Sequence, residues 1–289
     1  MGLATIVNAT VIIAVPRFGQ WAIDVSWALW WVDVLLTLFS VFVVPLLMFQ
    51  VHTLTLDTMT GAWLLPIVPA VVCAASGGLV AGVLTVGRAQ ITLLISYILW
   101  GLGMSLSFLV MALYFHRLAI HKLPNPEVIV SAFLPLGPCG QGVFGLIQMA
   151  KVGKKIFMDT DFAGFSNSGD VIFIVSVIIG LMIWGLGLWW LVHGMACVII
   201  RMLSTRLQFN MGFWGFIFPL GVFIAGTISL GETLSSAFFS YLSIAFLVLL
   251  VLLYGAVAIY TAMGAYNHTL IVAPCMSDLG QRQSTAATP

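Results

Sequence analysis

A chain of 289 residues that is 62% hydrophobic and only 7% charged cannot cover a water-facing surface. Its mean hydropathy of +1.16 places it among polytopic membrane proteins, all-α in class. The formal net charge of +1, with no basic run longer than Lys154-Lys155, argues against nucleic acid as a partner. The four cysteines (Cys73, Cys139, Cys197, Cys275) are dispersed without a C-x-x-C pattern, so neither disulfides nor a structural metal is expected.

Residues 1–15 are apolar but shorter than the roughly 20 residues a spanning helix needs, and they lack the charged start of a signal peptide. They read as the remainder of a helix that begins upstream. Pro16 to Ser26 reads as a connection, with Trp21, Trp27, Trp30 and Trp31 suited to the membrane interface. Ala28 to Gln50 is the second span, with Asp33 near one end and Pro45 near the other. After a polar stretch in which Thr58 or Thr60 can cap the next helix, Gly61 to Leu84 is the third span. It carries Pro66, Pro69 and the small-residue run ASGGLVAG, which admits a close neighbour.

The fourth span, Ile91 to Phe115, has no proline, and His116 to Glu127 reads as a polar loop. Val128 to Ala150 is the fifth span, broken by FLPLGPCGQG with Pro135, Pro138 and three glycines. Lys151 to Asp170 is the longest polar connection. Val171 to Ile200 is the sixth span, long enough to require tilt. Met211 to Leu230 is the seventh, with Phe213, Trp214, Phe216 and Phe218 ahead of or beside Pro219, and Ser235 to Met263 is the eighth. Residues 1–270 thus form a transmembrane domain, and 271–289 a polar tail.

Spans three, five and seven carry Pro with Gly, whereas four, six and eight are unbroken. The alternation reads as a repeated two-helix hairpin, with kinked members inside around a central pore and smooth members outside. A broken helix is tolerated at membrane depth where its freed groups are buried in protein or line a wet cavity. Lys and Arg are equally divided between the two sets of connections, so the positive-inside rule assigns no orientation.

Enzymatic chemistry finds no support. There is no H-E-x-x-H and no G-x-S-x-G, and His116 and His121 are five apart in the predicted loop. Asp159-x-Asp161 lies in a solvated Lys/Asp stretch, and His193 reads as an interfacial hydrogen-bonding side chain rather than a proton relay. No catalytic residue, metal or cofactor is expected. Cation pathways show Asp or Glu rings, and the third, fifth and seventh spans as bounded above contain no charged residue. Their few polar side chains include Ser76, Ser131, Gln141, Gln148 and Thr227, joined by Thr5 and Asn8 on the first segment. That inventory fits a weakly binding anion route built on helix-end dipoles and a few donors. The prolines also free carbonyls, whose partial charge repels anions, and the sequence leaves open which way those carbonyls point.

Three stretches carry a resemblance: GAWLLPIVPAVVCAASGGLVAG, YFHRLAIHKLPNPEVIVSAFLPLGPCGQGVFG and FWGFIFPLGVF. They resemble the tellurite-resistance/dicarboxylate transporter family, and within it the fungal sulfite efflux pumps most. The resemblance implies five helix hairpins in a ring around a pore, an architecture shared with the plant guard-cell slow anion channel, and assembly as a homo-oligomer, a trimer in the family. It further implies export of sulfite or bisulfite across the plasma membrane. A dicarboxylate such as malate is the alternative substrate, and a membrane fragment without transport of its own is the alternative of another class. The family has ten spans, and MGLATIVN resembles the middle of its third. The first hairpin and the start of the second are therefore expected to be missing from this chain. Phe218, immediately before Pro219, is the expected gate, with Phe213 and Phe216 as competitors. In the resembling channels a phenylalanine of the corresponding helix plugs the pore.

Overall fold

The computed structural model describes residues 1–51, 55–157, 167–204 and 209–267. All regular elements among them are helical. Helix α1 (Gly2–Phe18) passes through a π turn at Thr10–Ala14. It ends at Gly19, whose φ of +69° lies in the left-handed region that a glycine adopts without strain. Helices α2 (Gln20–Val51), α4 (Val86–His121), α6 (Ser168–Ser204) and α8 (Ala237–Tyr266) are long and apolar. Helices α3 (Val68–Ala81), α5 (Leu136–Ile156) and α7 (Ile217–Leu234) are each preceded by a 3₁₀ segment, at Gly61–Leu64, Pro126–Phe133 and Met211–Phe216. Six helical stretches among the described residues are long and apolar enough to cross a membrane, while Gly2–Phe18 and Val68–Ala81 are shorter apolar helices. The chain is a polytopic membrane protein.

Burial separates the two kinds of helix. All of Val68–Ala81 except Pro69 and Leu79 is buried. In Pro126–Ile156, 78% of the apolar window is buried, against 11% in α8. Apolar side chains on the outer faces of α2, α4, α6 and α8 are left for lipid, as a membrane protein allows. The interrupted helices pack with small residues between them. A Cβ on Gly140 of α5 would collide with the backbone of Phe223 in α7, so the two helices meet backbone to backbone there.

Several boundaries differ from the sequence reading. The stretch Pro16 to Ser26 is mostly helical, because only Gly19 breaks it, and Trp27 just beyond it packs on α4. Trp27 Nε1 donates to Thr92 Oγ1 (3.1 Å), and Arg88 pairs with Asp24 (2.6 Å) over the Trp27 ring. The earlier helix start moves Asp33 from near an end to the interior of α2, buried beside the Cys73 thiol. Helix α4 runs on to His121, so His116 and His121 are helical, and the chain turns only at Lys122 (φ +62°). Arg117, placed in a loop by the sequence reading, is buried in that last stretch. Its guanidinium donates to Lys122 O (2.7 Å) and Asp57 O (2.9 Å), and Arg201 donates to Leu123 O (3.1 Å) and Pro124 O (2.6 Å). The two arginines fasten the turns at this end of the molecule. In the turn that Arg117 holds, exposed Asp57 is kept below the usual carboxylate range, mainly by the Thr55 hydroxyl. Thr60 supplies the cap of the 3₁₀ segment before α3, accepting from Ala62 N at 3.3 Å.

Candidate anion pathway

The prolines shape the interrupted helices by a definite bond exchange. Pro135 and Pro138 have no N–H for the carbonyls of Ser131 and Leu134. Those carbonyls are taken instead by Leu134 N (3.1 Å) and Gly137 N (3.0 Å), one residue closer, which winds the stretch as 3₁₀ helix. Pro66 removes the partner of Ala62 O in the same way, and Leu65 N takes it at 2.9 Å.

Other inner carbonyls are held from outside. Ser40 Oγ of α2 donates to Pro66 O (3.1 Å), Trp30 Nε1 of α2 to Cys73 O (3.0 Å), and Trp100 Nε1 of α4 to Gly142 O (2.9 Å). Each such bond contributes about 1 kcal/mol net. Their second effect is electrostatic, because each sets a donor of α2 or α4 against the negative end of a peptide dipole.

Helix α5 then has two unlike faces. Gly142 and Gly153 lie against α4 and α6, Gly153 near Ile172 and Tyr97, and a Cβ on Gly187 of α6 would lie 3.0 Å from Cys139 Cβ. Opposite them, at alternating spacings of four and three residues, lie Gly137, Gln141, Phe144, Gln148, Lys151 and Lys155 on one face. Gln141 has no side-chain hydrogen bond to any described residue, and Gln148 Nε2 reaches Ser229 Oγ of α7 at 3.5 Å. Phe218 joins this face at its head. It is 40% exposed, and a Cβ on Gly137 would lie 4.0 Å from both its ring and Pro219.

The remaining sequence candidates divide. Ser76 Oγ, Ser131 Oγ and Asn8 Oδ1 are buried with no hydrogen-bond partner among the described residues, and Ser131 adjoins the Tyr114 hydroxyl. Thr227 lies on the other side of α7, against α6. Its hydroxyl donates to Phe223 O (2.8 Å) and accepts from Trp184 Nε1 (3.0 Å). Phe216 is buried edge-on against Phe133, with ring centres 4.9 Å apart, and Phe213 packs on Phe216 at 5.7 Å. Both line an apolar recess with Met195, Leu253 and Tyr260, away from the polar face. His193 is exposed, its Nδ1 2.9 Å from Trp189 O and its ring stacked on Trp189, an arrangement internal to α6. Asp159, Asp161, Cys275 and the tail 271–289 lie outside the described residues.

The sequence reading left the charges at the far ends of two interrupted helices outside them. Helix α5 continues to Ile156 and α7 to Leu234, so Lys151 and Glu232 belong to interrupted helices and pair at 3.2 Å. The three-residue steps from Gln148 to Lys151 and from Ser229 to Glu232 were visible in the sequence. They extend the same helical faces past the points where hydropathy falls. Among the described residues no group of three or more His, Cys, Asp or Glu is placed to hold a metal ion.

Fold and site together define a multi-pass membrane protein with buried, interrupted helices and one polar face that carries no acid. Residues 1–262 match the family described as SLAC1, voltage-dependent anion channel, and the chain belongs to that family. Among curated proteins it is 44% identical over 243 residues to a sulfite efflux pump of Arthroderma benhamiae, which covers 84% of this chain and 64% of the relative. A sulfite efflux pump of Trichophyton rubrum matches with the same identity and coverage. A malic acid transport protein of Schizosaccharomyces pombe is more distant, at 26% identity over 83% of this chain and 54% of the relative. The chain thus spans somewhat under two thirds of the length of these relatives. No solved structure matches it.

Proposed function

We propose that this chain supplies most of the anion route of a plasma-membrane exporter of sulfite or bisulfite. In this reading α3, α5 and α7 are inner helices, each followed by an outer partner, and the α5 face from Gly137 to Gln148 borders the route. Gln141 and Gln148, with Ser131, Ser76 and Asn8, offer the substrate its neutral polar contacts, and Phe218 is the gate. Several copies assemble in the membrane, three by analogy with the family.

The observation that carries this reading is the treatment of the inner carbonyls. An anion route through kinked helices is workable only if the carbonyls stripped by proline are engaged elsewhere. Those of Ala62, Ser131 and Leu134 are engaged by nearer N–H groups, Pro66 O is held by the Ser40 hydroxyl, and the carbonyls of Gly142 and Cys73 are drawn outward by tryptophans. The substrate rests on the 44% identity to proteins named as sulfite efflux pumps. Malate is the second reading, motivated by the malic acid transport protein. A dicarboxylate calls for paired cationic groups at depth, and the described inner helices carry cations only at one end.

The test is expression from the complete open reading frame in a fungal strain lacking its own sulfite pump. Restored growth on sulfite, with sulfite released from preloaded cells, is the expected result. Normal surface expression with malate movement and no sulfite movement would overturn it in favour of the second reading.

A further inference from the structure

We propose that Lys151, at the end of the polar face of α5, is a capture site for a small oxyanion. Glu232 of α7 is the tethered carboxylate that holds the site when no anion is there. This rests on the reading that the α5 face borders an anion route. Two rungs cross from α5 to α7 on that face: Gln148 Nε2 to Ser229 Oγ (3.5 Å), and one turn further out Lys151 Nζ to Glu232 Oε2 (3.2 Å). Lys151 is therefore the first full charge an anion meets beside the neutral polar groups, and Lys155 continues the face outward by another turn.

The other described pairs at this end have the character of fasteners. Lys154 is held by Asp170 (2.9 Å) and lies over the Phe173 ring, and Arg88 is held by Asp24 over Trp27. Lys151 and Glu232 are unequal partners: the lysine side chain is 33% exposed and the glutamate 64%. A carboxylate so open to solvent is weakly held and exchanges at small cost. A sulfite or bisulfite oxygen presents to an ammonium the same charge-assisted acceptor as a carboxylate oxygen. An ammonium, a compact and hydrated charge without a bidentate fork, binds such a group without trapping it. A conducting site has to be favourable enough to enter and weak enough to leave. Glu232 sets that balance by competing for Lys151.

Opposite effects of the two neutral variants are the consequence. Protein from the complete open reading frame is reconstituted in liposomes, and flux of sulfite, chloride and malate is measured at low substrate. Glu232→Gln should raise flux about threefold and Lys151→Gln lower it by about as much or more, both differences shrinking between roughly 0.05 and 0.5 M inert salt. Lys151→Arg should keep most of the flux. Equal losses in Glu232→Gln and Lys151→Gln, insensitive to salt and matched by equal falls in melting temperature, would mean that the pair only fastens α5 to α7. Unchanged flux in both would equally overturn the proposal. Wild-type protein that moves malate and not sulfite overturns the proposed substrate alone, and the opposite-sign test is then read with malate. Wild-type protein that moves no anion overturns both.

Discussion

Phe218 shows how much one residue's surroundings decide. Three phenylalanines occupy six residues, and sequence alone separates them only by the proline that follows one. In the structure Phe216 and Phe213 are engaged with other aromatics in an apolar recess, while Phe218 stands 40% exposed at Gly137, the head of the polar face. If the proposed route passes this face, a ring there obstructs a hydrated anion and disfavours water. Phe218→Ala should raise anion conductance severalfold in liposomes or whole cells while costing about 1 kcal/mol or less in stability, because the ring is only partly buried. Phe216→Ala should leave conductance near wild type and cost about 3 kcal/mol as a core truncation. A conductance increase confined to Phe216→Ala or Phe213→Ala would place the gate elsewhere. That Phe218 stands in a different setting from its two neighbours was legible, because proline acts on the residues next to it. The side of α7 occupied by Thr227 was not, since a tryptophan 43 residues away commits its hydroxyl.

At the scale of the helix, the breaks in α3, α5 and α7 could be read directly, because no other residue removes an N–H as proline does. The consequence for the carbonyls could not be read, since it depends on whether the backbone tightens or leaves them open. It tightens, with Leu134 N bonded to Ser131 O and Gly137 N to Leu134 O. Helix ends were the weakest part of the reading, for hydropathy marks where a helix leaves the lipid and not where it stops. That is why Lys151, Glu232 and Arg117 were assigned to connections. Pro135→Ala supplies an N–H at the place where the 3₁₀ segment meets α5, allowing an α-helical bond back to Ser131 O. It should lower flux severalfold by moving Gly137 and Gln141 relative to Phe218. Pro45, inside the continuous and lipid-facing α2, has no such junction. Pro45→Ala should leave flux close to wild type and stabilise α2, by up to about 3 kcal/mol. Sulfite flux of both variants at matched surface expression is the measurement, and equal effects would mean that the inner prolines serve packing alone.

At the scale of the molecule, the two ends carry different charge arrangements on an otherwise apolar body. One end gathers Arg88 with Asp24, Lys151 with Glu232, and Lys154 with Asp170. The other is tied by Arg117 and Arg201 to backbone carbonyls. Sequence charge could not orient the chain, because Lys and Arg divide equally between the connections. It could not prove either that the two short apolar helices cross. Helix α3 has only 14 residues, about 21 Å at 1.5 Å per residue, below the roughly 30 Å of a hydrocarbon core. Its 3₁₀ lead-in from Gly61 supplies the missing length, because a 3₁₀ turn rises about 2 Å per residue. If Gly61 to Ala81 crosses as one interrupted span, Asp57 and Lys155 lie on opposite sides of the membrane, three crossings apart. Single cysteines at the two positions, in a protein with Cys197 and Cys275 replaced by serine, then test the whole topology, since the remaining native Cys73 and Cys139 are buried. A membrane-impermeant maleimide added to intact cells should label one of Asp57→Cys and Lys155→Cys, and permeabilisation should be needed for the other. Labelling of both from the same side would mean that Gly61 to Ala81 enters and leaves on one face, and the inner-helix reading of α3 would fall with it. The side on which Lys155→Cys is labelled would also give the orientation that the charge count withholds. It would decide whether the Lys151 site faces the cytosol, where an exporter captures its anion, or the exterior, where it lets the anion go.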